Sequence, residues 1–191
     1  MHDSRQDKAL IFDCDGTLAD SMPAHYRTWK EALARHGIPL TRKRFYALGG
    51  VPATEVVRIL SDEAGVEVDC RRVGREKDEL FLKKAGPIKP VSAVAEVARR
   101  NRGKVPMAVA TGNVRALATS TLERIGMEDW FDTLVTSEDV ERGKPHPDIF
   151  LEAARRLGVE PSDCLVYEDS DLGVTAARRA GMDYVDVREL L

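Results

Sequence analysis

The apolar run Ala9-Leu10-Ile11-Phe12 stops at two carboxylates one residue apart, Asp13 and Asp15, and then at the turn pair Gly16-Thr17. A short unbroken apolar run bounded in this way reads as a buried strand. Acidic groups at its end mark the mouth of an open α/β sheet, because such sheets keep their sites outside the carboxyl ends of their strands. Gly16 allows a sharp bend, which would let both carboxylates meet one ligand. The stretch therefore predicts a metal or phosphate site.

The remaining pattern changes character twice. Residues 21–86 read as helices only. Met22, Tyr26, Trp29 and Leu33 share one helix face, with Gly37 as the stop. Thr41 starts a shorter piece ending at Gly49-Gly50. Pro52 opens a third helix, with Val56, Val57, Leu60 and Ala64, stopped by Gly65. A fourth covers about residues 70–85 and closes at Gly86-Pro87. Residues 91–191 then alternate strands with helices. Strands are expected at Val105 to Ala110, Thr133 to Thr136, Cys164 to Tyr167 and Tyr184 to Val187. Asn113, Pro147 and Ser170 are expected to start the intervening helices. Such alternation implies parallel pairing with right-handed crossovers. The expected fold is a doubly wound, Rossmann-like α/β sheet of about five strands. A helical cap is inserted after the first strand, since the helical block is too long to be a loop. The core would comprise residues 1–18 and 88–191 and a four-helix cap residues 19–87, with hinges near 16–20 and 86–90.

The chain has 191 residues, 43% of them apolar, and a net charge of −3 with both signs mixed. That length suits one medium domain, or a core with a small accessory domain. The balance leaves no broad basic surface for nucleic acid. Arg99, Arg100, Arg102 and Lys104, like Arg42, Lys43 and Arg44, read as solvated helix ends. Cys14, Cys70 and Cys164 show neither zinc spacing nor a disulfide framework. No apolar stretch is long enough to span a membrane, and the N-terminus does not resemble a signal peptide. A cytoplasmic monomer acting on a small molecule is the expectation.

Parallel pairing puts every strand's carboxyl end on one edge. Asp13 and Asp15 follow the first strand, Thr111 and Gly112 the second, Lys144 the third, and Glu168 and Asp169 the fourth. Taken singly, each has a plain structural reading: Asp15 a turn residue, Thr111 a helix cap, Lys144 a surface charge, Glu168 a solvated acid. Together they put four carboxylates, a lysine and a hydroxyl at one crevice. Oxygen ligands of this kind suit Mg²⁺. The lysine, the hydroxyl and amides at a helix start would cradle phosphate. One carboxylate can then attack phosphorus while a second exchanges a proton with the leaving oxygen and with water.

Asp13-x-Asp15-Gly16-Thr17, Thr111-Gly112, Gly143-Lys144-Pro145 and Glu168-Asp169 together resemble the four-motif signature of the haloacid dehalogenase-like phosphohydrolases. The resemblance covers essentially the whole chain. Gly143 to Asp148, Glu168 to Gly173 and Ala176 to Met182 are similar to the β-phosphoglucomutase-like branch. The ending Ala180 to Arg188 looks most like bacterial fructose-1-phosphate / 6-phosphogluconate phosphatases. The resemblance implies Asp13 as nucleophile and metal ligand. It implies Asp15 as general acid/base, with its carbonyl on the metal. Thr111 and the Gly112 or Asn113 amide would hold the transferring phosphoryl, and Lys144 would bridge that group and Asp13. Asp169 would bind Mg²⁺ directly, and Glu168 directly or through water.

In the cap, the resemblance singles out His25, against Asp15 or substrate, and Lys77, on substrate oxygens. Each also has a bland reading, as a structural histidine and a surface lysine. The Gly49-Gly50-Val51-Pro52 turn matches the segment that reads the substrate's far end. One departure bears on the reaction: Pro52-Ala53-Thr54 lacks the arginine with which the mutases grip a second phosphate. The expected activity is thus a Mg²⁺-dependent phosphatase of small sugar or polyol phosphates working through an aspartyl-phosphate. A β-phosphoglucomutase-type mutase is the alternative, and a non-catalytic phosphate-ester binder a third.

Overall fold

A computed structural model describes residues 8–190. Five strands, β1 (Ala9–Phe12), β2 (Met107–Ala110), β3 (Thr133–Val135), β4 (Cys164–Glu168) and β5 (Asp183–Asp186), form one sheet in the order β3-β2-β1-β4-β5. All four pairings are parallel. Leu10 lies opposite Met107 on one side and Leu165 on the other. The strand after β1 runs to one side and β4 returns to the other, so the direction of winding switches beside β1. That switch leaves a crevice at the carboxyl ends of β1 and β4.

The alternation of β1 decides what covers each face. Ala9 and Ile11 point to a cluster with Ile149, Phe150 and Ala153 of α7 (Asp148–Leu157) and Ala176 and Ala177 of α8 (Asp171–Arg179). Leu10 and Phe12 point to the other, with Val94 and Ala98 of α5 (Ser92–Asn101) and Leu122 of α6 (Arg115–Arg124). Helices on both faces make the sheet doubly wound, as the sequence pattern implies. Arg99 and Arg100 lie in the last turn of α5, paired with Glu96.

Between β1 and α5 run α1 (Met22–Ala34), α2 (Arg42–Ala47), α3 (Ala53–Ala64) and α4 (Cys70–Lys84). They pack around a cluster of their own that includes Trp29, Leu33, Phe45, Val57, Leu60 and Val73. A smaller cluster of Ala24, Phe81, Ala85, Ile88 and Leu117 joins α1 and α4 to α6. The Arg124 guanidinium reinforces that join by donating to the carbonyls of Leu82 and Gly86.

Three local expectations need correction. β2 begins at Met107 rather than Val105, and Val187 falls in a 3₁₀ turn rather than in β5. Asn113 does not cap α6: Val114 occupies that position and supplies no side-chain bond, because the Asn113 amide is engaged elsewhere, with Asp15. Ser170 does cap α8, accepting from the Gly173 amide.

Phe150 is fully buried in the cluster under α7. Phe150→Ala is expected to cost about 3–5 kcal/mol. In a urea titration this appears as a lower midpoint with an unchanged slope.

Candidate active site

The carboxyl edge of the sheet gathers the predicted acids. Asp13 follows β1 directly, and its amide donates to the Tyr167 carbonyl of β4. Its carboxylate, 6% exposed, accepts from Lys144 Nζ through Oδ1 at 2.7 Å. The same Nζ donates to Glu168 Oε2 at 2.5 Å and lies 5.1 Å from the centre of the Phe150 ring. Lys144, read alone as a surface charge, is buried.

The other Glu168 oxygen, Oε1, accepts from the amides of Asp169 and Ser170 and from the Ser170 hydroxyl, at 3.1, 3.0 and 2.8 Å. Asp169 takes the Thr17 hydroxyl on Oδ1 at 3.2 Å. Oxygens of Asp13, Glu168 and Asp169 all lie within 4.8 Å of one another. Two glycines make this crowding possible. A Cβ on Gly16, where φ is +93°, would fall 2.2 Å from Asp169 Oδ2, and one on Gly173 would fall 2.0 Å from Glu168 Cδ.

Three carboxylates facing one ammonium leave negative charge in excess. Burial, then Glu168 and Asp169, push the Asp13 carboxyl well up, with Lys144 pulling against them. Burial and Glu168 raise Asp169 to about 6. Lys144 moves the opposite way. Burial disfavours its charge, but Asp13 and Glu168 outweigh that and hold it above the ordinary lysine value. The cluster is thus short of positive charge, which is the condition under which carboxylates bind a cation. The acidic donor set suits a hard divalent ion.

Asp15 turns away from that cluster toward the helices. Its Oδ1 accepts from the Ser21 hydroxyl at 2.5 Å and from His25 Nε2 at 2.9 Å, and its Oδ2 from Asn113 Nδ2 at 2.6 Å. Burial alone would raise this carboxyl, but His25, Ser21 and Asn113 bring it down to about 2. His25 is buried and stacked on Phe81, ring centres 4.0 Å apart, and burial lowers its value despite Asp15.

Thr111 is buried at the end of β2, and its hydroxyl accepts the Asn113 amide at 3.2 Å; Gly112, beside it, is exposed. Lys77 is no surface residue: it is 2% exposed, paired with Asp78 at 3.1 Å, and its Nζ sits over the rings of Trp29 and Phe81. Burial lowers its value, with Asp78 and then Asp15 opposing. The turn at Gly49 and Gly50 lies against the β4–α8 loop: a Cβ on Gly50 would stand 3.3 Å from Ser170 Oγ and 3.4 Å from Leu172.

Three contributors escape sequence reading. Ser21 is spaced from Asp15 like any residue before a helix, and only the bend at Gly16 returns its hydroxyl to that acid. Ser170 reads as a helix cap but also donates to Glu168. Asn113 reads as a helix cap and an amide donor, while its side chain holds Asp15. A short polar residue next to each acidic motif was the available signal.

Residues 8–181 match the family model for haloacid dehalogenase-like hydrolases. The fructose-1-phosphate phosphatase YqaB of Escherichia coli (strain K12) is 38% identical, over 95% of this chain and 96% of that protein. A phosphorylated carbohydrates phosphatase of Thermotoga maritima is 32% identical over 93% of this chain and 83% of its own length. Among solved structures, CbbY from Rhodobacter sphaeroides in complex with phosphate superposes with a TM-score of 0.85 at 26% identity, over 94% of this chain and 85% of that one. With the four motifs on one sheet edge and the family model spanning nearly the whole sequence, the chain belongs to the haloacid dehalogenase-like hydrolases.

Proposed function

We propose that the protein is a Mg²⁺-dependent phosphatase of small sugar or polyol phosphate monoesters, working through a phosphorylated Asp13. The observation that carries this reading is the Lys144 ammonium bonded at once to Asp13 and Glu168, beside Asp169. It fixes one carboxylate while leaving the cluster in need of a cation. The names of two relatives, a fructose-1-phosphate phosphatase and a phosphorylated carbohydrates phosphatase, support the substrate class.

Asp13, Glu168 and Asp169 would hold Mg²⁺, which when bound neutralises charge on the cluster and on the phosphoryl oxygens. Lys144 anchors Asp13 Oδ1 and so sets the plane of the attacking carboxylate. Thr111 and the amides of the following turn receive the phosphoryl oxygens. Asp15 is ionised in the present arrangement, the form that takes a proton from water in the second half-reaction. A dianionic ester arriving beside it raises its proton affinity, as any like charge does, and so readies it to protonate the leaving oxygen in the first.

Residues 19–87 would act as the cap, with the Gly49–Pro52 turn closing on the β4–α8 loop and Lys77 supplying a buried cation to substrate oxygens. Such closure excludes water from everything but the hydrolytic step. α3 begins at Ala53 with Pro52 before it, and neither they nor Thr54 supplies a guanidinium for a second phosphate. A mutase needs that bidentate grip to hold a bisphosphate in both orientations, so water is the favoured acceptor.

A phosphate-ester panel with Mg²⁺ tests the reading. Sugar or polyol monoesters should release phosphate, and both EDTA and Asp13→Asn should reduce release to background. Conversion of β-glucose-1-phosphate to glucose-6-phosphate under a bisphosphate primer, without free phosphate, would establish the mutase instead.

The metal centre has its own readout. At a hundredfold excess over Kd, Mg²⁺ should raise Tm by about 5–10 °C. Asp169 sits near 6 in the fold against 3.8 as a free carboxyl. Its protonation therefore favours the metal-free fold below its unfolded value, and that contribution is lost as pH rises through about 6. The Mg²⁺-induced rise should accordingly be larger at about pH 7.5 than at about pH 5. A Tm indifferent to Mg²⁺ at the higher pH would count against the centre.

A further inference from the structure

We propose that Asn113 is a positioning residue for proton transfer: its side-chain amide fixes the one oxygen of Asp15 that can carry the exchanged proton. This rests on the reading of Asp15 as the proton carrier of a phosphatase.

An ionised carboxylate offers about two acceptor sites on each oxygen. On Asp15, Oδ1 has both filled, by the Ser21 hydroxyl and His25 Nε2. Oδ2 takes one donor, Asn113 Nδ2, at 2.6 Å, and keeps its second site. A proton that must reach a reacting oxygen therefore rides on Oδ2. The facing group is a carboxylate, so the amide nitrogen of Asn113, not its oxygen, points at it.

The three donors also come from different places. Ser21 and His25 stand at the start of α1, within the helical insertion, whereas Asn113 belongs to the turn after β2. That turn is itself tied down, since the Asn113 amide donates to the Thr111 hydroxyl. Asn113 thus joins the proton-carrying oxygen to the turn assigned to the phosphoryl group. The separation of proton and leaving oxygen is then set by one short, braced segment of the sheet edge. The first amide of α6, that of Arg115, is met by Glu138 instead, which leaves the Asn113 side chain to Asp15.

The chemistry assigns the proton a definite course. An Asp13 oxygen forms a bond to phosphorus as the ester P–O bond breaks. The electron pair leaves on the ester oxygen, which takes the proton from Asp15 Oδ2 and departs as the alcohol. Water then gives a proton to Oδ2 while its oxygen bonds to phosphorus. The acyl phosphate P–O bond breaks, restoring the Asp13 carboxylate and releasing phosphate. Alkyl alkoxides are poor leaving groups and need that proton as they depart. p-Nitrophenolate leaves without it.

The test is kcat/KM, which reports steps only as far as phosphorylation of Asp13, on two esters. One is a sugar or polyol phosphate that the wild-type protein hydrolyses, and the other is p-nitrophenyl phosphate, each with Mg²⁺. Asn113→Ala should lose about tenfold on the alkyl ester and less than about twofold on the aryl ester. Asn113→Asp, which keeps the shape but turns an oxygen toward Oδ2, should show the same selectivity with a larger loss. Asn113 is only half-buried, and Tm should stay within a few degrees of wild type. An equal loss on both esters in these variants, or no loss on either, overturns the proposal. Asp15→Ala is measured alongside and should discriminate between the esters more strongly. If it does not, the reading of Asp15 as proton carrier fails, whereas selectivity in Asp15→Ala alone rejects only the role of Asn113.

Discussion

The Lys144 ammonium is the interaction on which the rest of this site depends. It is buried, and it touches one carboxylate at the end of β1 and another at the end of β4. Charges taken out of water in this way are costly unless paired and fully bonded. Removing one partner of such a group typically costs about 3–5 kcal/mol, because the other is left uncompensated. Here the bonding is spread widely. Glu168 spends its second oxygen on two amides and a hydroxyl of its own loop, and Phe150 lies against the ammonium. The ion pairs thus tie the two strands flanking the switch in winding, and the loop after β3 that carries Lys144, into one edge.

Much of this is legible in the sequence. Apolar runs ending in acids or in Thr-Gly, with helical periodicity between them, require parallel strands, and parallel strands put those ends together. The parallel sheet, the two covered faces and the meeting of Asp13, Lys144, Glu168 and Asp169 follow from that reasoning, whereas the order of the strands does not. The details that escaped it depend on side-chain direction. Lys77 lies on a helix rich in charge, and only its spacing from Val73, Leu80 and Phe81 puts it on the buried face, toward Trp29. Asn113 satisfies the local grammar of a helix cap, yet a carboxylate brought in by a distant strand makes a stronger claim on its amide. Helix and strand limits shifted by a residue or two, as at Val105 and Val187, because ends are decided by hydrogen bonds rather than composition.

The two acids of the first motif, one residue apart, have been given opposite surroundings. Asp13 is crowded by like charge and burial, so its proton affinity rises; Asp15 is surrounded by donors, so its affinity falls. The chain leaves the strand at Phe12, so Asp13 faces the sheet edge and Asp15, two residues on, faces the inserted helices. That divergence lets a single short motif supply two distinct chemical roles. It also makes Asp15 answerable to both halves of the chain, through Ser21 and His25 on α1 and Asn113 on the sheet side.

Gly16 and Gly173 have a consequence for how such a protein can change. Each stands where the smallest added side chain would collide with a carboxylate of the cluster. The acids and the backbone around them are therefore mutually locked, and neither can drift without the other. The helices between β1 and α5 meet this region more loosely: an added Cβ on Gly50 would stand 3.3 Å from Ser170 Oγ, and one on Gly143 would stand 4.0 Å from Pro52. A change in side-chain size is therefore tolerated more readily at Gly50 than at Gly16 or Gly173, where it would displace a carboxylate of the cluster.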